Sequence, residues 1–203
     1  PEPIAIRKLK RTYSDWEETL PIEDQFSYEK YCCGQELNGK KVAIVGGGPA
    51  GYQCAMLLRA WGFECTIFEA LPEPGGLMRS NIPSFRLPAN VLNEEINYIV
   101  DMGADLRLNH PIESMKALLD EGYDAVFVGT GAPKGKELNL PGREEGGANI
   151  HIGITWLESV AFGHLDNIGK NVLIIGVGNT AMDCCRTSLR LGADNVKVMA
   201  RKP

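Results

Sequence analysis

Apolar residues run through this chain in two rhythms. Short blocks such as Val42-Ala43-Ile44-Val45, Cys65-Thr66-Ile67-Phe68, Ala125-Val126-Phe127-Val128 and Val172-Leu173-Ile174-Ile175 suit strands buried on both faces. Between them, apolar positions recur every three or four residues, as on a helix that buries one stripe. Val91, Leu92, Ile96, Ile99 and Val100 form such a stripe and predict a helix from Ala89 to Met102, stopped at Gly103. The same reasoning predicts strands at 41–45, 64–68, 104–108, 124–128, 171–175 and 195–199. It predicts helices after Gly51, at 112–120, at 154–162 and after Ala181. Strand and helix in alternation imply a parallel sheet with right-handed crossovers, an α/β fold. Residues 1 to about 38 show no strand alternation. Ile4 to Arg11 and Ser14 to Glu18 are helical or extended, broken by Pro21.

Composition narrows the class. The 203 residues are 44% hydrophobic and 23% charged, as in a globular chain long enough to bury a core. A net charge of −5 argues against nucleic acid as a partner, and Arg7, Lys8, Lys10 and Arg11 read as a solvated basic face. No apolar run approaches the length of a membrane span and no signal-peptide core opens the chain, so a cytoplasmic protein is expected. The six cysteines, at 32, 33, 54, 65, 184 and 185, form no C-x-x-C. They predict reduced thiols, and no metal site within the chain. His110, His151 and His164 are scattered.

The chemistry is concentrated where strands end. Lys41 to Val45 runs into Gly46-Gly47-Gly48-Pro49-Ala50-Gly51. In a strand–turn–helix unit Gly46 permits the tight turn, Gly48 lets the backbone approach a pyrophosphate, and Gly51 lets the helix close on the sheet. The helix start then offers unpaired N–H groups and a positive dipole end. The next strand ends at Glu69, 18 residues after Gly51, where an acid accepts hydrogen bonds from an adenosine ribose. A long irregular stretch follows, from Ala70 to Pro88. Its length suggests function. Gly75-Gly76 could let a flat ligand lie against backbone and Arg86 could grip an anion, while a proline-stiffened surface loop is the competing reading. Gly129-Thr130-Gly131 again places small residues at a strand's carboxyl end. Pro133 to Gly147 reads as a connection between domains.

The opening device then repeats. Gly176, Gly178, Ala181 and Gly192 stand 130 residues after Gly46, Gly48, Gly51 and Gly62, and Cys184-Cys185 falls on Cys54-Ala55. Two independent matches of turn and helix face imply two nucleotide-binding units. The second strand ends in Ala200-Arg201-Lys202 instead of an acid. Arg201 and Lys202 would attract a ribose 2′-phosphate, which favours NADP(H) over NAD(H). A solvated basic pair is the alternative.

Together these segments resemble the FAD- and NADPH-binding region shared by the glutamate synthase small subunit and the flavin/nucleotide domains of dihydropyrimidine dehydrogenase. The resemblance rests on Val45 to Gly51, Phe68-Glu69, Gly75-Gly76-Leu77, Ile82 to Pro88, Gly178-Asn179-Thr180-Ala181-Met182-Asp183 and Arg201-Lys202. It implies that Gly48, Pro49 and Ala50 hold the FAD pyrophosphate and Glu69 its ribose, with Glu73, Gly75, Gly76, Leu77 and Arg86 on other parts of FAD. It assigns Gly178, Asn179, Thr180, Ala181, Arg201 and Lys202 to NADPH; Gly46, Gly51, Gly131 and Gly176 complete the expected binding set.

The expected organisation is an arm at 1–39, a partial FAD-binding domain at 40–168 and the start of an NADP(H)-binding domain at 169–203, two Rossmann-like units of which the second is incomplete. Further polypeptide, from the same chain or another, is expected to complete the fold. The implied activity is a flavoprotein oxidoreductase passing electrons between NAD(P)H and an iron-sulfur domain or subunit, with no catalytic side chain named because the cofactors carry the chemistry. A pyridine nucleotide-disulfide reductase and a non-catalytic nucleotide-binding scaffold subunit remain as alternatives.

Overall fold

The computed structural model describes residues 4–21, 23–24, 36–137, 139 and 141–200. Cys32, Cys33, Arg201 and Lys202 lie outside the described residues.

The segment before Pro21 is helical: α1 spans Ile6–Glu17 and exposes Ile6, Leu9, Tyr13 and Trp16. The first sheet begins with β1 (Lys41–Val45), α2 (Pro49–Ala60) and β2 (Glu64–Phe68). A single helical turn, α3 (Leu77–Ser80), interrupts the long irregular stretch. After it come α4 (Ala89–Asp101), β3 (Asp105–Arg107), α5 (Met115–Asp120) and β4 (Ala125–Val128). A 3-10 turn at Gly147–Asn149 and α6 (Gly153–Ala161) lead to β5 (Asn171–Ile175), α7 (Asn179–Arg190) and β6 (Asn195–Met199).

The four strands of the first sheet lie in the order β3-β2-β1-β4, all parallel. The chain leaves β1 toward β2 on one side and returns to β4 on the other. The carboxyl end of β1 is therefore the switch point at which ligands of open α/β sheets bind. The central strands β1 and β2 are apolar on both faces because both are covered, whereas β4, expected to be buried, is an edge strand that leaves Ala125 and Val128 exposed. Val42, Ile44, Cys65 and Ile67 pack with Tyr52 and Ala55 of α2 and with Leu92 and Ile96 of α4. Ala43, Val45 and Phe68 pack with Leu118 of α5. Ile44 and Ile67 are wholly buried, each contributing about 1.5–3 kcal/mol.

Helix α5 starts later than the expected residue 112 because Ser114 caps it, its Oγ accepting the Ala117 N–H at 3.2 Å. β5 and β6 form a separate parallel pair. Trp156 and Leu157 of α6 share a core with Cys184, Ile174 and Leu191, so α6 packs with this second unit. Leu173, Ile175 and Val177 remain about half exposed or more.

Candidate functional site

Both glycine turns sit at the carboxyl end of the first strand of their sheet, and their backbones match. Gly46 and Gly176 have φ of 113° and 125°, a region closed to most side chains. The Gly46 N–H donates to the Phe68 carbonyl at 2.8 Å, and the Gly176 N–H donates to the Met199 carbonyl at 2.8 Å. Gly48 and Gly178 each stand in extended backbone as the cap of the following helix. Their carbonyls accept the N–H of Tyr52 and of Met182, both at 3.1 Å. Pro49 opens α2 where no N–H is needed. In α7 that place is taken by Asn179, followed by Thr180 and Ala181.

The turns differ in how tightly the helix closes. A Cβ on Gly51 would lie 2.0 Å from the Gly46 carbonyl oxygen, so α2 approaches β1 backbone to backbone. Ala181 carries a Cβ at the equivalent place, 3.9 Å from a Cβ built on Gly176. Among the described residues nothing lies within 4 Å of a Cβ built on Gly178, and only the Gly76 Cα reaches 4.0 Å from one built on Gly48. Each turn therefore keeps an open face beside the first amides of its helix, as a diphosphate requires. β4 closes the first turn from below: the Gly129 N–H donates to the Val45 carbonyl at 2.8 Å, and Gly129 leaves no room for a side chain at Gly46. Gly131, with φ of 68°, faces open space.

Glu69 is 7% exposed and lies against the first turn. Its Oε2 accepts the Gly47 N–H and its Oε1 the Leu71 N–H, both at 2.9 Å. The carboxylate thus ties β2's end to the glycine turn and to the loop that follows. That loop folds back: the Gly75 N–H donates to the Gly47 carbonyl at 2.8 Å, and Gly76, at φ of 54°, rests on Gly48, where a Cβ would come within 3.0 Å of its Cα. The missing side chain of Gly76 lets the loop pack on the turn, and that of Gly75 lets it pack against Leu92 and Ile96 of α4. Glu73 pairs with Arg79 Nε at 3.4 Å, and Leu77 is partly exposed.

Arg86 lies away from the first glycine turn's hydrogen-bond network. Its Nη1 donates to Asp183 Oδ2 of α7 at 2.5 Å. Asp183 is the residue to which sequence reasoning gave no role. An acid on the inner face of α7, beside buried Cys184, Thr187 and Ser188, was the available signal.

Thiol chemistry is muted in this region. Burial pushes the Cys65 and Cys184 thiols up to about 11, and burial raises the Cys54 thiol as well. Among the described residues no group of three His, Cys, Asp or Glu side chains could hold a metal ion. No described helix is long and apolar enough to cross a membrane.

Comparison with known proteins agrees with this geometry. The chain is 40% identical over 208 residues to the NADPH-Fe(3+) oxidoreductase subunit beta of Geobacter sulfurreducens, covering 98% of this chain and 30% of the relative. It is 35% identical over 182 residues to the glutamate synthase [NADPH] small chain of Escherichia coli, covering 83% of this chain and 38% of that one. The chain therefore spans about a third of the length of these relatives. A solved structure of FprA from Mycobacterium tuberculosis in complex with NADPH shares the fold, with a TM-score of 0.66 and 24% identity over 78% of this chain and 43% of that one. The model of the pyridine nucleotide-disulphide oxidoreductases matches residues 40–203, which takes in both glycine turns, and this chain is a member of that family.

Proposed function

We propose that the protein of which this chain is part is a flavoprotein oxidoreductase that moves electrons between NADPH and an iron-sulfur partner. The carrying observation is the duplicated turn: two strand–glycine–helix units with matching backbone hydrogen bonds, each open at its helix start. The names of the Geobacter and Escherichia relatives, an NADPH-Fe(3+) oxidoreductase subunit and a glutamate synthase [NADPH] small chain, support the use of NADPH in this reading.

On this reading the first turn holds FAD. The amides that begin α2, at Ala50 and Gly51, face the pyrophosphate, with Gly48 admitting it and Glu69 directing its carboxylate toward the ribose. Glu69 comes pre-oriented by Gly47 and Leu71, so binding costs it little side-chain entropy. The second turn holds NADP(H): Gly178 admits the pyrophosphate to the amides at Thr180 and Ala181, and Arg201 and Lys202 receive the 2′-phosphate. Bound there, the flavin supplies acceptance of a hydride from NADPH and release of electrons one at a time. The chain's own part is to orient two nucleotides and exclude water between them. The raised thiols of Cys65 and Cys184 supply no nucleophile for disulfide reduction.

The test is to load the full-length protein with FAD and add NADPH without oxygen. Bleaching of the flavin's visible absorbance, with NADPH preferred over NADH, is expected. A flavin that stays oxidised refutes the reading.

A further inference from the structure

Three contacts join the segment from Asn81 to Leu87 to the second unit. Asn81 Nδ2 donates to the Ile154 carbonyl of α6 at 2.6 Å. The Arg190 guanidinium of α7 sits 4.2 Å from the centre of the Phe85 ring. Arg86 Nη1 donates to Asp183 Oδ2. The segment is anchored in the first unit by α3 before it and α4 after it, so it straps one nucleotide-binding unit to the other.

The strap does not pack continuously on what it crosses. A cleft of about 340 Å³, partly open to solvent, lies beside it, lined by Met78, Ser84, Leu87, Leu157, Thr187 and Leu191 among others. With an unfilled volume at the junction, apolar packing alone does not fix how far apart the two units stand. The polar contacts carry that task, and Asp183 is the strongest of them. Its side chain is 6% exposed, whereas that of Arg86 is 43% exposed. Among the described residues its Oδ1 has no hydrogen-bond partner, and the nearest other cation, Arg186 Nη1, stands 4.0 Å from it. This buried carboxylate has one guanidinium in hydrogen-bond contact, Arg86, and a second, Arg186, only at 4.0 Å, so loss of Arg86 leaves it buried with the more distant, unbonded cation alone. Asp183 also lies four residues beyond the N-terminal Asn179 of α7, close to the second glycine turn.

We propose that Asp183 is a positioning residue. By gripping Arg86 it locks the start of α7 against the first unit and sets the separation at which a nucleotide in the second turn meets one in the first. This rests on the proposed function for its consequence in catalysis, and on geometry alone for the latch itself.

The experiment uses the full-length, FAD-loaded protein and the variants Asp183→Asn, Arg86→Gln, Arg86→Lys and the double Asp183→Asn/Arg86→Gln. Flavin reduction by NADPH is followed by stopped flow, and protease cleavage of the connection at 133–147 is followed without nucleotide. In Asp183→Asn the limiting reduction rate should fall about tenfold, as small misplacements of a reactant do. The half-saturating NADPH concentration should stay within about twofold, because uniform binding is untouched. The double variant should be no slower than the slower single, since both remove one interaction. Arg86→Lys should recover part of the rate. Cleavage of the connection should quicken in Asp183→Asn by about fivefold or more as the units part.

An unchanged limiting rate in Asp183→Asn overturns the proposal, and so do losses that multiply in the double. If Asp183→Asn does not fold, Arg86→Gln decides by the same rates. If NADPH fails to reduce the wild-type flavin, the proposed function falls, and the cleavage comparison alone then decides the latch.

Discussion

Replacing Glu69 by Gln changes one atom of a buried side chain and should cost more than its size suggests. Both carboxylate oxygens accept a backbone N–H at 2.9 Å, from Gly47 and from Leu71. Gln keeps one acceptor and turns an NH2 group toward the other N–H. A hydrogen bond to a charged acceptor is lost, at about 1.5–3 kcal/mol, and a buried donor is left stranded, at about 1–3 kcal/mol. Relief from burying a charge returns part of this, which leaves a net loss of about 2–4 kcal/mol. For a chain of this length each kcal/mol moves Tm by about 2–4 °C, so a drop of about 5–15 °C is expected. Thermal unfolding followed by circular dichroism measures it, with Glu64→Gln as control. Glu64 pairs with Lys41 at 3.4 Å on the surface, side chains 41% and 55% exposed, and its loss should cost under about 1 kcal/mol. A Glu69→Gln protein whose Tm matches the control would mean that the Gly47 and Leu71 amides find other acceptors. The carboxylate would then not be what fixes the first turn.

Two further outcomes follow from the same geometry. Gly51→Ala would place a methyl group 2.0 Å from the Gly46 carbonyl oxygen and 3.2 Å from Ile44 Cγ2, with backbone on one side and a buried side chain on the other. It should lower stability in urea unfolding by about 3 kcal/mol, whereas Ala181→Gly in the second turn should cost about 1 kcal/mol; equal losses would refute the difference in helix closure. The Cys65 and Cys184 thiols, raised to about 11 by burial, hold only about one thiolate in a thousand at pH 8. Alkylation of both, read by mass spectrometry, should be slow in the native protein at pH 8, quicken as pH rises toward 11 and become rapid in urea. Fast native labelling at pH 8 would contradict their burial.

What was legible in the sequence was what depends on local chain chemistry. The strands 41–45, 64–68, 171–175 and 195–199 formed with the expected bounds because their β-branched and other extended-favouring residues pair in register, 41–45 with 64–68 and 171–175 with 195–199. The repeat with a spacing of 130 residues carried through to matching φ angles and hydrogen bonds, since a strand–glycine–helix turn is defined within a dozen residues. The bounds that shifted were set by a single side chain, as at Ser114, or by pairing partners: β3 keeps only the three residues that reach β2.

Long-range geometry was not legible. Gly75-Gly76 announces a place where side chains are forbidden, but not whether ligand or protein lies there; here Gly76 meets the Gly48 backbone and Gly75 meets Leu92 and Ile96. Arg86 announces an anion and not which one. The partner that meets it, Asp183, is 97 residues away on the inner face of a helix, and it can be reached only because the second unit docks on the strap. Asp183 is also the charged residue among the buried ones on the inner face of α7, which are otherwise Cys184, Thr187 and Ser188. A charge buried at such a position must be answered by an opposite charge from elsewhere in the fold. That buried charge calls for a cation within hydrogen-bond reach, and only the packing of α7 against the strap identifies it as Arg86 and not Arg186 of the same helix.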